Sequence, residues 1–340
     1  MPNEPRLAVE SIAGQRPYQE DSVLAQNLAD GRLLVAVADG MGGHAAGEVA
    51  SALALETLVA ALEDGQDLGS AFALANAEVH EKAREPGKQG MGTTLVAALV
   101  EDGEYTVANV GDSRGYLLTG GAIRQLTEDH SFVAEAVKRG QTLEEAMATP
   151  WRDALTRSIG TEERVEIDVF GPFPVSDDSA LLICSDGLYK TLENHDLHTI
   201  FSQSSGPRGA AQTLVSEAFD RGSDDNISVV IAEYGEVPRD AQGTMPLEYT
   251  PPEGDDLGSA HAPDADKEDA TAVGWSVVAD SADDGQDVTQ EMLAPVSTDS
   301  EADTIPTEAV RPPGQSSGPS GVVIAIVVAI IGAIAAWIIL

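Results

Sequence analysis

Short apolar runs rich in Val, Leu, Ile and Ala recur through the first two thirds of the chain, each bounded by Gly, Asp, Ser or Asn. Runs of this length predict strands at Arg6 to Ala13, Leu33 to Ala38, Thr94 to Val100, Tyr105 to Asn109, Arg114 to Leu118, Val165 to Phe170, Ser179 to Cys184 and Asn226 to Glu233. Apolar positions three and four apart predict helices at Ala46 to Leu62, Ser70 to Arg84, Phe132 to Arg139, Glu193 to Phe201 and Pro207 to Phe219. The turns at Glu101 to Gly103 and Gly111 to Ser113 join neighbouring strands as antiparallel meanders. Helices and strands cluster rather than alternate. That favours an α+β fold of packed antiparallel sheets flanked by helices over a parallel βαβ arrangement.

The pattern stops near Gly235, and residues 1–235 therefore read as one folded module. Residues 236–320 are poor in large apolar side chains and hold 10 of the chain's 18 prolines. Against 19 acidic residues they carry only Arg239, Lys267 and Arg311, so the expectation is a disordered, self-repelling, extended linker. A small second domain around Trp275 is the disfavoured alternative. Residues 321–340 are uncharged and almost wholly apolar. As a helix they would span ~30 Å, the thickness of a bilayer core, and Trp337 suits an interface. A single membrane span acting as a tail anchor is expected, with Ala325, Ala329 and Ala333 as a weak helix-pairing stripe. The start of the chain shows no basic segment followed by an apolar run, so no secretory signal is expected and the module should face the cytoplasm.

Composition narrows the partners. The formal charge of −38 argues against nucleic acid and anionic headgroups at the soluble surface, and makes metal cations the natural counter-charge. Residues 1–235 hold 38 acidic and 16 basic side chains, so the linker alone does not explain the acidity. With lysine also rare, such a surface is compatible with concentrated salt, where screening removes most self-repulsion. Cys184 is the only cysteine, which excludes an intrachain disulfide and a cysteine-based zinc cluster. Its place in the apolar run LLIC assigns it to the core.

The informative chemistry lies at strand ends. Glu20 and Asp21 follow the first strand, Asp39 ends LLVAVADG, Asp112 sits in NVGDSRG, Asp186 ends LLICSDG, and Asp224 and Asp225 precede NISVVIAE. One such aspartate is usually a turn residue. Five such positions on neighbouring strands would converge, and a cluster of like charges is tolerable when cations neutralise it. Oxygen-only donors select Mg²⁺ or Mn²⁺ over zinc. The segment GMGGHA also fits a G-x-G-x-x-A dinucleotide fingerprint, but Asp39 directly ahead would repel a pyrophosphate and no acidic strand end follows at the required distance. The glycines suit close approach at a metal site better.

Taken in order, GQRPYQEDS, VADGMGGHAAGEVAS, MGTTLVAAL, ANVGDSRGYLL, LTEDHS, LTRSIG, LLICSDGL and SDDNISVV resemble the metal-dependent Ser/Thr protein phosphatases of the PPM, or protein phosphatase 2C, family in its bacterial branch. The resemblance covers about Arg6 to Glu233. It implies a PP2C-like αββα sandwich with two Mn²⁺ or Mg²⁺ ions and sometimes a third. It further implies hydrolysis of phosphoserine and phosphothreonine by a water activated between two ions, without a phosphoenzyme. By that resemblance Asp39 bridges both ions, the carbonyl of Gly40 and a water held by Glu20 serve the second, and Asp186 and Asp225 complete the first. Asp21 orients waters on the ions, Arg16 clamps the phosphate, Asp112 with Asp186 forms the third-ion site, and Asn226 supports Asp225.

Some positions depart from the family pattern. Gln19 stands where Asn is usual, and Met41 where one branch carries the histidine suggested as general acid. His44 is the remaining candidate acid, alongside an ion-bound water. The segment His130 to Ile159 resembles the family's mobile flap, and in it Thr149 precedes Pro150 where histidine is frequent. Lys190 stands where some members carry a further acidic ligand, so a third ion should bind weakly. Expected partners are phosphorylated proteins, the Ser/Thr kinases that make them, and the membrane. A catalytically silent phosphoprotein-binding module on the same anchor is the competing reading.

Overall fold

The computed structural model describes residues 4–43, 45–119, 121–235 and 237. Two antiparallel sheets form its centre. The first runs β1 (Arg6–Ile12), β11 (Ile227–Gly235), β10 (Asp178–Cys184), β7 (Arg114–Thr119), β8 (Ala122–Gln125). The second runs β2 (Asp21–Asn27), β3 (Leu33–Met41), β5 (Leu95–Glu101), β6 (Glu104–Val110), β9 (Asp168–Pro174), with β4 (Gly92–Thr93) on the end of β3.

Period-two alternation explains why the central strands are apolar at nearly every position. Leu34, Ala36 and Ala38 of β3 face α1 (Ala45–Glu63) and α2 (Leu68–Ala83), whereas Leu33, Val35 and Val37 face the other sheet. In β10, Leu182 and Cys184 pack toward α6 (Asn194–Gln203) and α7 (Pro207–Asp220), whereas Leu181 and Ile183 point between the sheets. The layer order is therefore α, β, β, α, as expected. Each fully buried aliphatic side chain in these three clusters contributes ~1.5–3 kcal/mol, which makes the sandwich a rigid frame for its ends. Cys184 is fully buried in the helix-facing cluster, in keeping with a core role.

Five elements were not foreseen, among them the two-residue β4. β2 (DSVLAQN) is a half-buried edge strand paired only with β3, so its polar content masked the period. β8 has four residues. α4 (Leu143–Met147) has five and rests on a capping box, with Thr142 and Glu145 each accepting from the other's backbone N–H. α5 (Asp186–Tyr189) is one turn following β10. β9 starts three residues later than expected, and α3 (Phe132–Lys138) ends one residue earlier. Apart from Val237, the linker and span expected over 236–320 and 321–340 lie outside the described residues. Among the described residues no helix is long and apolar enough to cross a membrane.

Candidate metal centre

The topology brings the strand-end carboxylates to one end of the sandwich. β10 and β11 are antiparallel with Cys184 opposite Val229, so Asp186 just past β10 lies beside Asp225 just before β11. β7 pairs with the same end of β10, Arg114 opposite Cys184, which brings in the β6–β7 turn that carries Asp112. In the second sheet Asp21 is the register partner of Asp39. This corrects the expected setting of Asp21: it opens β2 rather than trailing β1. Asp39 likewise lies within β3, because Gly40 and Met41 continue the strand by pairing with β4.

Arg16, Glu20, Asp39, Gly40, Asp112, Asp186 and Asp225 line a single cavity of about 750 Å³. Asp21 lies nearly buried beneath them. His44, the candidate general acid, lies outside the described residues. Sequence reasoning missed part of the wall, which Asp153, Thr156, Arg157 and Arg164 supply from the long connection between β8 and β9. LTRSIG contained Arg157, but its spacing gave no sign that it faces the cavity.

Backbone and hydroxyl groups hold the carboxylates in place. Ser185 and Ser228 donate to Asp21 Oδ2 at 2.8 and 2.6 Å. Asn226 accepts from the Glu20 N–H at 2.8 Å and donates to the carbonyls of Ala13 and Tyr18 at 3.0 and 2.9 Å. It therefore clamps the whole loop that bears Arg16 and Glu20, a larger role than supporting Asp225. Thr94 Oγ1 accepts from the Asp39 N–H at 3.0 Å, and the Thr94 N–H returns a bond to the Asp39 carbonyl at 2.9 Å. Tyr189 donates to the Asp112 carbonyl at 2.9 Å, while Arg114 stacks 3.6 Å over the Tyr189 ring and forks onto Asp129. At Gly40 a Cβ would lie 2.2 Å from the Gly47 carbonyl and 2.5 Å from that of Glu20, so only glycine allows this approach.

The cluster is electrostatically frustrated. Burial first, then Asp21, Asp186, Asp112 and Asp225, push Asp39 well above the usual carboxylate range. Burial likewise raises Asp21 to about 7 against the opposing serine hydrogen bonds, and raises Asp112 to about 7 with Asp186 adding to the effect. Asp225 is raised by burial and by Asp186. Two protein cations offset part of this. Arg16 donates from Nη2 to Asp225 Oδ2 at 2.8 Å and from Nε to the Asp224 carbonyl at 2.7 Å. Lys190 Nζ lies 2.5 Å from Asp186 Oδ2.

With side chains turned to these partners, no three carboxylate, imidazole or thiol groups among the described residues form a ready-made ion cage. The donor set nonetheless fits hard divalent cations. Asp21 Oδ1 and Asp186 Oδ1 are buried with no hydrogen-bond partner, the donors are all oxygen, and the raised carboxylates ionise readily only beside added positive charge.

Comparisons with known proteins agree with this geometry. The Protein phosphatase 2C family profile matches residues 11–217. The serine/threonine phosphatase stp of Listeria welshimeri is 38% identical over 232 residues, covering 64% of this chain and 91% of that protein. Among solved structures, the Streptococcus agalactiae serine/threonine phosphatase superposes with a TM-score of 0.63 at 32% identity, over 67% of this chain and 99% of that one. The catalytic domain of the serine threonine protein phosphatase PstP, solved with 2 manganese ions, gives a TM-score of 0.57 at 32% identity, over 68% and 99%. With the fold, the motifs and the cavity in agreement, the chain belongs to the protein phosphatase 2C family of serine/threonine phosphatases.

Proposed function

We propose that this chain hydrolyses phosphoserine and phosphothreonine on proteins, using two Mn²⁺ or Mg²⁺ ions held by Asp39, Asp186, Asp225, the Gly40 carbonyl and Glu20. The observation that carries the reading is the convergence of these carboxylates on one cavity with Arg16 at its edge. Divalent ions bound there supply a nucleophilic water at neutral pH and neutralise charge at phosphorus. The protein's own groups set the rest. Arg16, anchored through Nε and Nη2 yet 47% exposed, offers its remaining guanidinium edge to a phosphate oxygen. Asp21, with Oδ2 fixed by Ser185 and Ser228, presents Oδ1 as an acceptor that orients water in the cavity. Asp112 supports the Asp186 side of the cluster. Cys184 and Ser185 take no nucleophilic part: one is sealed in the core, and the other is committed to Asp21.

Phosphoproteins are the substrates on this reading, and the Ser/Thr kinases that make them are partners. The uncharged residues 321–340 support a single-pass membrane tether, with the module on the cytoplasmic face. The direct test is turnover of a phosphothreonine peptide by the full chain. Release of phosphate with Mn²⁺, abolished by EDTA and restored by Mn²⁺, is the expected result. No release with any divalent ion would leave the silent phosphoprotein-binding module instead.

A further inference from the structure

We propose that the Lys190 ammonium is a built-in counter-ion at the Asp112–Asp186 corner of the cluster, and that it takes the place a third divalent ion would need. The proposal rests on the two-ion reading above and concerns only how many ions this chain accepts.

The geometry begins with α5. One turn separates Asp186 from Lys190, whose N–H closes that turn on the Asp186 carbonyl at 3.0 Å. Residues four apart on a helical turn share a face, so the ammonium comes back over the carboxylate and reaches Oδ2 at 2.5 Å. A further carboxylate, Asp153 Oδ1 from the cavity wall, lies 3.9 Å away. The positive charge is also felt at Asp112, which lies on the same side. Lys190 therefore sits among carboxylates from three separate segments. At the opposite edge Arg16 pairs with Asp225.

This divides the cluster. Asp186 and Asp225 each give one oxygen to a protein cation, whereas Asp39 and Asp21 have no cationic partner among the described residues. Added ions are therefore drawn toward Asp39. At the Asp112 corner an incoming ion would meet an ammonium already in contact with the same carboxylate, and the like charges repel. Lys190 is 40% exposed and can swing out, but doing so gives up the Asp186 contact. The expected result is a weak third site rather than a blocked one.

The test is Mn²⁺ uptake, measured by equilibrium dialysis on the full chain in wild-type, Lys190→Gln, Lys190→Arg and Asp39→Asn forms. Wild type should saturate at two ions across the range in which Lys190→Gln takes up a third. That third ion should bind ~10- to 100-fold more tightly in Lys190→Gln than in wild type, the weight of one partly exposed charge beside the ion. Lys190→Arg keeps the charge and should match wild type. Identical uptake by wild type and Lys190→Gln overturns the proposal, as does wild type binding a third ion as tightly as the first two. If Lys190→Gln does not fold, the wild-type and Lys190→Arg curves still decide: saturation at two supports the proposal and saturation at three overturns it. Failure of the two-ion reading itself looks different, since wild type would then take up no Mn²⁺ and Asp39→Asn would change nothing.

Discussion

Replacing Asp39 by Asn separates a residue kept for ion binding from one kept for stability, because the two roles predict opposite signs. The β2–β3 register sets Asp39 across from Asp21. Directly opposed side chains on an antiparallel pair have Cβ atoms about 4.5–5.5 Å apart. Two unit charges about 5 Å apart repel by ~3 kcal/mol at an effective dielectric of about 20. Asp21 is pushed up to about 7, so below that value the fold avoids the repulsion by holding a proton that the unfolded chain releases from about pH 4 upward. Both carboxylates are raised above their ordinary value of 3.8, so the folded state holds more protons than the unfolded one between roughly pH 4 and 7. Stability of the ion-free protein attributable to this pair must therefore fall as pH rises across that window. Asp39→Asn should match wild type near pH 3 and gain on it as pH rises above about 4, by ~2 kcal/mol near pH 5.5 and by ~3 kcal/mol at neutral pH and above. For a module of this size the neutral-pH difference is a Tm rise of about 6–12 °C. Calorimetry in EDTA measures it. Adding Mn²⁺ at ~100 times its Kd should stabilise wild type by ~2.7 kcal/mol and the variant far less. A variant that melts lower than wild type in EDTA near pH 8.5, or that gains as much from Mn²⁺, would refute the reasoning.

Other substitutions probe different parts of the same end. Arg16→Ala should raise KM for a phosphopeptide by on the order of 10- to 100-fold, with little change in Mn²⁺ affinity by titration calorimetry; a collapse of Mn²⁺ binding would make Arg16 a structural residue. Asn226→Ala removes three hydrogen bonds that clamp the Ala13–Glu20 loop, and should cost ~2–3 kcal/mol in denaturant melts while weakening Mn²⁺ binding; an unchanged midpoint would mean that the loop is held by other contacts. Deleting residues 321–340 should shift the protein to the soluble fraction and leave kcat/KM on a small soluble phosphoester unchanged; continued pelleting with membranes after a salt wash would defeat the tether.

The layer architecture was legible because the central strands bury both faces. Runs such as LLVAVA and LLIC carry no polar residue to blur them, and their limits come within a few residues of those observed. β2 was not legible, since an edge strand is partly exposed on both faces and its apolar positions need not alternate. The ligand types and the aspartates at strand ends were also plain. Their partners were less so. That Asp21 opposes Asp39 follows from register, which depends on a strand the pattern did not reveal. Asn226 stood next to Asp225 in the chain, yet its reach to Ala13 and Tyr18 spans more than 200 residues of sequence. His130 shows the same gap. It accepts from the Gly111 N–H through Nδ1 and meets Asp168 through Nε2, tying the Asp112 turn to β9, and nothing in LTEDHS announces either contact.

The frame also accounts for why this cluster favours ions over relaxation. Like charges on mobile loops reduce their repulsion by moving apart. Here Asp39 sits within β3 and Asp21 opens β2, while one residue separates Asp186 from the end of β10 and Asp225 from the start of β11. The central strands bury Val35, Val37, Ile183 and Val230 between the sheets. Separating the carboxylates would shear those strands and expose side chains worth ~1.5–3 kcal/mol each. Protonation offers another escape, and the raised Asp21, Asp39 and Asp112 show the cluster poised for it. It becomes costlier as pH rises through about 7, the value at which Asp21 and Asp112 titrate. Arg16 and Lys190 relieve only the Asp225 and Asp186 edges. Between those edges lies the Asp39–Asp21 pair, which is both rigid and without a protein cation among the described residues. A divalent ion placed there relieves repulsion that neither movement nor an internal ion pair can, so the electrostatic cost of the empty fold becomes binding free energy for the ion.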